Sequence, residues 1–207
     1  MKNNIGKNKN ILFATIFGLL FIVVLILVIL NKTTNFDQVI YDIIISIRSP
    51  FFDTYFTSIT RLGNTFMVVL VVSGFILIVR NRYGIFLAIS AVDSLLLNTI
   101  VKLAVQRPRP DGLRLIRQGG YSFPSGHAMI SICIYGYLLY LAISKINNKI
   151  LKYLVSIVLF LVILNIGVSR IYVGVHYASD VISGYLLALC YLFVFIEVTK
   201  KINFKRG

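Results

Sequence analysis

Only two histidines occur in the chain, and each stands where an apolar run meets a polar segment. His176 is followed four residues later by Asp180. If a helix begins near His176, the two side chains lie one turn apart on one face. A carboxylate held there takes one ring nitrogen, fixes the tautomer and leaves the other nitrogen free. A histidine nucleophile or base is oriented in this way. His127 closes the stretch Pro124-Ser125-Gly126-His127, directly before a long apolar run. Proline near a helix start is favoured, and such an N-terminus offers free N–H groups to an anion. Lys102, Arg109 and Arg170 add fixed positive charge, and the arginine fork suits phosphate oxygens. Three cations, a helix start, two histidines and one carboxylate are the parts of phosphoryl transfer. One histidine can attack while the other protonates the leaving oxygen.

Something must bring these residues together. The chain has 207 residues, of which 58% are hydrophobic and 14% charged, with a net charge of +14. Its mean hydropathy is +0.88. A soluble domain is about 45–50% apolar and about 25% charged, so a disordered, collagen-like or typical cytosolic chain is excluded. A nucleic-acid module would be polar and solvated despite its basic balance. The apolar content sets a ceiling of about six spanning helices. Cys133 and Cys190 lie inside apolar runs and read as small core residues.

Six spans are expected, near residues 11–30, 65–79, 85–105, 128–143, 153–168 and 177–198. The first is too long for the apolar part of a cleaved signal peptide and lacks a small-residue cleavage site. Residues 36–47 carry apolar positions at helical spacing and read as an interfacial amphipathic helix, ended by Ser49-Pro50. Residues 169–176 form a short link and 106–123 a polar loop. The fold class is therefore all-α and polytopic, with 1–207 as one membrane-embedded domain.

An even number of spans puts both termini on one side. With the termini cytoplasmic, Lys2, Lys7, Lys9, Arg80, Arg82, Lys145, Lys149, Lys152 and the four basic residues after Thr199 lie inside. The positive-inside rule favours this orientation. It also gathers Lys102, Arg109, Ser125, His127, Arg170, His176 and Asp180 at the outer face.

Three segments carry a resemblance: Lys102, six residues, then Arg109-Pro110; Pro124-Ser125-Gly126-His127; and Ser169-Arg170, five residues, His176, three residues, Asp180. In order and without substitution they resemble the signature of the type 2 phosphatidic acid phosphatase superfamily. The compact size and Arg61-Leu62-Gly63-Asn64 look most like the bacterial phosphatidylglycerophosphatase B-type members. The resemblance implies His176 as the nucleophile that forms a phosphohistidine, held by Asp180. It implies His127 as the acid for the leaving alkoxide and then the base for water. It assigns Lys102, Arg109, Ser125, Gly126 and Arg170 to the phosphate, with no metal and no cofactor. Expected substrates are phosphatidylglycerol phosphate first, undecaprenyl diphosphate second and phosphatidic acid third. Vanadium haloperoxidases share the motif but are soluble, which the apolar spans exclude.

Other readings stay open at this level. The chain is alternatively a lipid-phosphate binding or transport protein that has lost catalysis. Ser125 is alternatively a hydrolase nucleophile paired with a histidine, or only a helix cap. Arg107, two residues from Arg109 and so on the same side of an extended segment, reads as a solvated loop charge or, alternatively, as a second arginine on the phosphate, and Arg114 and Arg117 as head-group or loop charges. Asp93, about 14 Å deeper than Lys102 along a helix, reads as a polar tie between helices. Asn98, one turn from Lys102, is placed to orient it. Tyr121, Tyr172 and Tyr177 line the entrance or anchor the interface.

Overall fold

The computed structural model describes residues 2–80 and 82–204, with side chains from 9 to 202. Its elements are helices α1 (Lys2–Ile29), α2 (Thr34–Ile45) and α3 (Pro50–Ile59), a 3-10 turn (Thr60–Gly63), α4 (Thr65–Val79) and α5 (Arg82–Val105). Then come α6 (Gly126–Ser131), a π turn (Ile132–Gly136), α7 (Tyr137–Lys145), α8 (Lys149–Tyr172) and α9 (Ala178–Phe204). Five spans are long and apolar enough to cross a membrane: α1, α5, the α6–α7 run, α8 and α9. The protein is an all-helical, multi-span membrane protein.

The second expected span is not one straight helix. Residues 65–79 form α4 as expected, but 15 residues rise only about 22 Å, short of a hydrocarbon core of about 30 Å. The segment Pro50–Gly63 meets α4 at 55°, and the pair together is long and apolar enough to count as one bent span. Pro50 stands at the first position of α3, and the Ser49 side chain accepts from the Phe52 N–H. The proline that was expected only to end one helix therefore also starts the next.

The amphipathic helix is present as α2. Phe36, Val39 and Ile43 are exposed on one side, while Asp37 is buried on the other. That burial puts α2 against the ends of α8 and α9.

The α6–π–α7 span is the most buried and forms the centre of the bundle. Met129, Cys133, Ile134 and Tyr137 pack there against Leu87 of α5, Ile166 of α8 and Ala188 of α9. The π turn widens the helix by one residue, and the Cys133 carbonyl accepts from the Ser90 hydroxyl at 3.0 Å. Outside the core, α1 lies along α9, with Phe17 and Phe193 stacked at 5.8 Å. Asp93 is the polar tie its position suggests: the Tyr191 hydroxyl of α9 donates to its Oδ2 at 2.7 Å.

The polar ends of the spans follow from alternation. Lys102 sits in the last turn of α5 and Arg170 in the last turn of α8. His127 and Asp180 sit in the first turns of α6 and α9. All four thus come to one end of the bundle, and Arg80, Arg82, Lys145 and Lys149 to the other.

Candidate active site

His176 lies in the turn between α8 and α9. Arg170 belongs to the last turn of α8 rather than to a link, and its carbonyl accepts from the N–H groups of both Val175 and His176 at 3.2 Å. Gly174 makes this reversal with φ +75°, where a side chain would strike the Leu113 carbonyl. His176 is thereby folded back over the end of α8 and buried.

Asp180 stands one turn into α9, and the expected pairing is present. His176 Nδ1 lies 3.4 Å from Asp180 Oδ2, a long contact, and that oxygen also accepts from the Tyr177 N–H at 3.0 Å. The second pattern is a capping bond that locks the carboxylate to its own helix start. On the far side of the ring, Arg109 Nη1 is 3.2 Å from His176 Nε2. A guanidinium only donates, so Nε2 is the accepting nitrogen and the proton sits on Nδ1, toward Asp180. Burial first, then the charges of Arg170, Arg109 and Lys102, hold His176 well below the ordinary histidine range. The ring is a neutral imidazole with its lone pair facing the cations.

Those cations have no carboxylate of their own. Among the described residues, the Lys and Arg ion pairs are Arg48–Asp53, Arg107–Asp37 and Arg107–Asp180. Lys102 donates to the carbonyls of Tyr121 and Ser122. Arg109 is tied to the carbonyls of Gly119, Gly120 and Val175. Arg170, 1% exposed, donates from Nη1 to Thr60 Oγ1 at 2.6 Å and from Nη2 to Gln118 Oε1 at 3.1 Å. Its Nε is buried without an acceptor. A buried cation with an orphaned donor calls for an anion.

His127 opens the central span opposite these groups. Its Nε2 is 2.7 Å from Asn64 Oδ1, at the break in the bent span. Ser125 caps this helix only weakly, its Oγ accepting from the Ala128 N–H at 3.5 Å, and its own N–H donates to the Asp180 carbonyl at 3.0 Å. The partner of the Ser125 hydroxyl is thus a backbone N–H and not a histidine nitrogen, so a serine nucleophile lacks its base. Gly126 packs against Asn98, leaving about 3.0 Å from where a Cβ would stand to Asn98 Oδ1.

Two sequence expectations fail here. Arg107 is not a solvated loop charge. Its Nη1 donates to Asp180 Oδ1 at 2.7 Å and to Ser179 Oγ at 2.8 Å, and its Nη2 to Asp37 Oδ2 at 2.8 Å. Its guanidinium also stacks 4.0 Å over the Tyr177 ring. Burial opposes the Arg107 charge, but Asp180 and Asp37 outweigh it and raise its pKa. Asn98 does not orient Lys102: its amide donates to the Pro124 carbonyl at 3.0 Å and so holds the start of α6. Of the three tyrosines, Tyr172 is buried and donates to Asp53 Oδ1 at 2.7 Å.

Spacing alone missed Asp37, Thr60, Asn64, Arg107 and Gln118. Asp37 Oδ1 accepts from the Ser179 N–H, and Oδ2 from the Ser179 hydroxyl, both at 2.8 Å. Asp37 therefore joins α2 to the start of α9. The one available signal was an acid on the polar side of an amphipathic helix.

A family model described as the PAP2 superfamily matches residues 82–204. The chain is 29% identical over 181 residues to phosphatidylglycerophosphatase B of Bacillus subtilis, covering 84% of this chain and 88% of that protein. The crystal structure of a transmembrane PAP2-type phosphatidylglycerolphosphate phosphatase from Bacillus subtilis matches with a TM-score of 0.82 at 27% identity, over 91% of this chain and 96% of that one. An undecaprenyl-diphosphatase of Sulfolobus acidocaldarius is 30% identical over 154 residues, covering 70% of each chain. The matched region holds all three motif segments and more than half of the sequence: the chain belongs to the PAP2 superfamily and is a membrane phosphatase of that family.

Proposed function

We propose that the protein hydrolyses a lipid phosphate through a phosphohistidine on His176. One observation carries this reading: Arg109 donates to the His176 nitrogen that Asp180 does not hold, and Lys102 and Arg170, likewise without carboxylate partners, set their charge on the same ring. A phosphate dianion satisfies the orphaned Arg170 Nε and places its phosphorus before His176 Nε2. Ser125 and Gly126, at the start of the central span, complete the cradle.

In the first step Nε2 attacks phosphorus and the bond to the lipid oxygen breaks. The Nδ1 proton stays toward Asp180, which stabilises the positive charge that develops on the ring. His127, which takes up a proton once the phosphate dianion offsets the neighbouring cations, gives that proton to the departing alkoxide. In the second step neutral His127 takes a proton from water, the hydroxide oxygen bonds to phosphorus, and the N–P bond breaks to release phosphate. Both histidines return to their starting forms, and no residue of this cycle requires a metal.

A groove of about 450 Å³ runs from His127 between α4, α5 and α6, with Phe66, Val68, Leu95 and Ile130 on its walls. Exposed Phe66 and Leu95 open it sideways to the bilayer. A lipid tail lying there delivers its head group to the histidines, so remote binding energy positions the phosphate. Phosphatidylglycerol phosphate is the first substrate, supported by the Bacillus relatives. Undecaprenyl diphosphate is the second, supported by the Sulfolobus relative. The charge bias of the opposite bundle end favours cytoplasmic termini and a site at the outer face of the cytoplasmic membrane.

Phosphate release by the purified protein across a panel of lipid phosphates and diphosphates, with and without EDTA, tests the reading. Turnover of at least one such lipid, unaffected by EDTA, is expected. Binding without turnover of the whole panel would make the chain a lipid-phosphate binder.

A further inference from the structure

The break in the bent span has a chemical consequence. Asn64 is the N-cap of α4, with extended backbone (φ −76°, ψ 151°), yet its side chain makes no capping bond. Asparagine is favoured at this position because its oxygen accepts from the N–H two or three residues on. Here that oxygen accepts instead from the ring of His127, at 2.7 Å. A local rule set aside in this way marks a side chain committed elsewhere. The preceding residue reinforces the arrangement. A Cβ on Gly63 would stand 2.7 Å from His127 Cδ2 and 3.1 Å from Cγ, so the imidazole rests on the Gly63 backbone.

We infer that Gly63 and Asn64 form the seat of the general acid: they are positioning residues that hold the His127 ring through its Nε2–H, so that Nδ1 carries the transferable proton at the head of the lipid groove. Asn64 does for His127 what Asp180 does for His176, with one difference. An amide accepts a hydrogen bond from the ring without adding a negative charge beside the incoming phosphate. It fixes the ring against rotation within the field of the nearby cations Arg170, Arg109 and Lys102. Asn64, Gly63 and His127 also share the wall of the groove, so the seat lies where the leaving oxygen must pass. The broken span serves to bring a polar backbone turn to this depth. An unbroken helix would present neither the bare backbone of Gly63 nor a side chain freed from capping.

The inference rests on the proposed role of His127, and leaving-group dependence separates the two. An alkoxide leaving group, with a conjugate acid near that of water at about 16, needs protonation. A phenolate, at about 10, needs it far less. Dodecyl phosphate and para-octylphenyl phosphate carry comparable tails and differ in this respect. Measured as kcat/KM, which is set by the first chemical step, Asn64→Leu is expected to lose about 10- to 100-fold on the dodecyl ester. On the octylphenyl ester the same variant loses less than about threefold. Gly63→Ala, which pushes the ring without removing the amide, shows the same selective loss. Equal losses on both esters, or no loss on either, in both variants overturns the inference. The controls keep the causes apart. A selective loss in His127→Ala with no selectivity in Asn64→Leu or Gly63→Ala sinks the seat and leaves the acid intact. Equal losses on both esters in His127→Ala remove the acid itself. Turnover surviving in His176→Ala removes the phosphatase mechanism as a whole.

Discussion

Arg107, half-buried, and Asp180, fully buried, form an ion pair, Nη1 to Oδ1 at 2.7 Å, behind the carboxylate oxygen that faces His176. The same guanidinium reaches Asp37 at 2.8 Å. The Asp180 carboxylate is therefore held by its own helix start and by Arg107 of the loop after α5, which ties it in turn to Asp37 of α2.

Replacing Arg107 by Met leaves Asp37 and Asp180 buried without their cation. Breaking a buried pair from one side costs about 3–5 kcal/mol. Thermal unfolding in detergent should show that loss. At a permissive temperature kcat should fall about 10- to 100-fold, with KM little changed, because the lost contact orients a ligand-bearing ring rather than the substrate. Asp37→Asn, which keeps the Arg107–Asp180 pair, should be milder in both respects. A raised KM at unchanged kcat would show Arg107 binding substrate instead.

With only two histidines in the chain, imidazole nitrogen NMR can follow each one. Because burial and the neighbouring cations lower the His176 pKa, its protonated fraction is smaller than that of a free histidine at every pH. At pH 6.5, where a free histidine is about half protonated, His176 should remain neutral with its proton on Nδ1. Asp180→Asn should disturb that tautomer. A signal titrating at the ordinary position in the wild type would contradict the assignment.

Arg170 presents one rigid fork, with Nη1 on Thr60, Nη2 on Gln118 and Nε left open. Lysine carries a point charge without that geometry. Arg170→Lys should therefore lose about 10²- to 10³-fold in kcat/KM, the scale for removing one preorganised donor. Inhibition by vanadate, which mimics five-coordinate phosphorus, should weaken in parallel. Near-normal kinetics would make the charge alone sufficient.

Asp93 and Tyr191 provide a contrast. Tyr191→Phe leaves an intramembrane carboxylate without its donor, at a cost of about 1–3 kcal/mol. A lower thermal midpoint with unchanged kcat is expected. A fall in kcat at temperatures where the variant stays folded would place this tie in the catalytic cycle.

The grouping of the candidate site residues was easier to read from the sequence than the contacts that support them. His176 and Asp180 were legible because four-residue spacing on a helix start leaves little choice of geometry. Lys102, Arg109, Ser125, Gly126, His127 and Arg170 followed from motif and side. Arg107 was not legible, because its partners Asp37 and Asp180 lie 70 and 73 residues away, and a loop arginine beside prolines looks solvated. Asn98 misled for the opposite reason. Helical spacing puts it on the Lys102 face, but backbone carbonyls draw the two side chains to different places. The broken span escaped because Asp53 and Arg61 dilute the hydropathy of a segment whose helices are each too short to register as a span.

The central claim is a covalent phosphate on His176. The most direct measurement is rapid acid-free quenching of the protein with radiolabelled lipid phosphate, followed by peptide mapping. The account predicts an acid-labile, base-stable label on the peptide containing His176, absent in His176→Ala and accumulating in His127→Ala when the leaving group is a phenolate. Label on Ser125, or full turnover with no labelled peptide at any quench time, would contradict it.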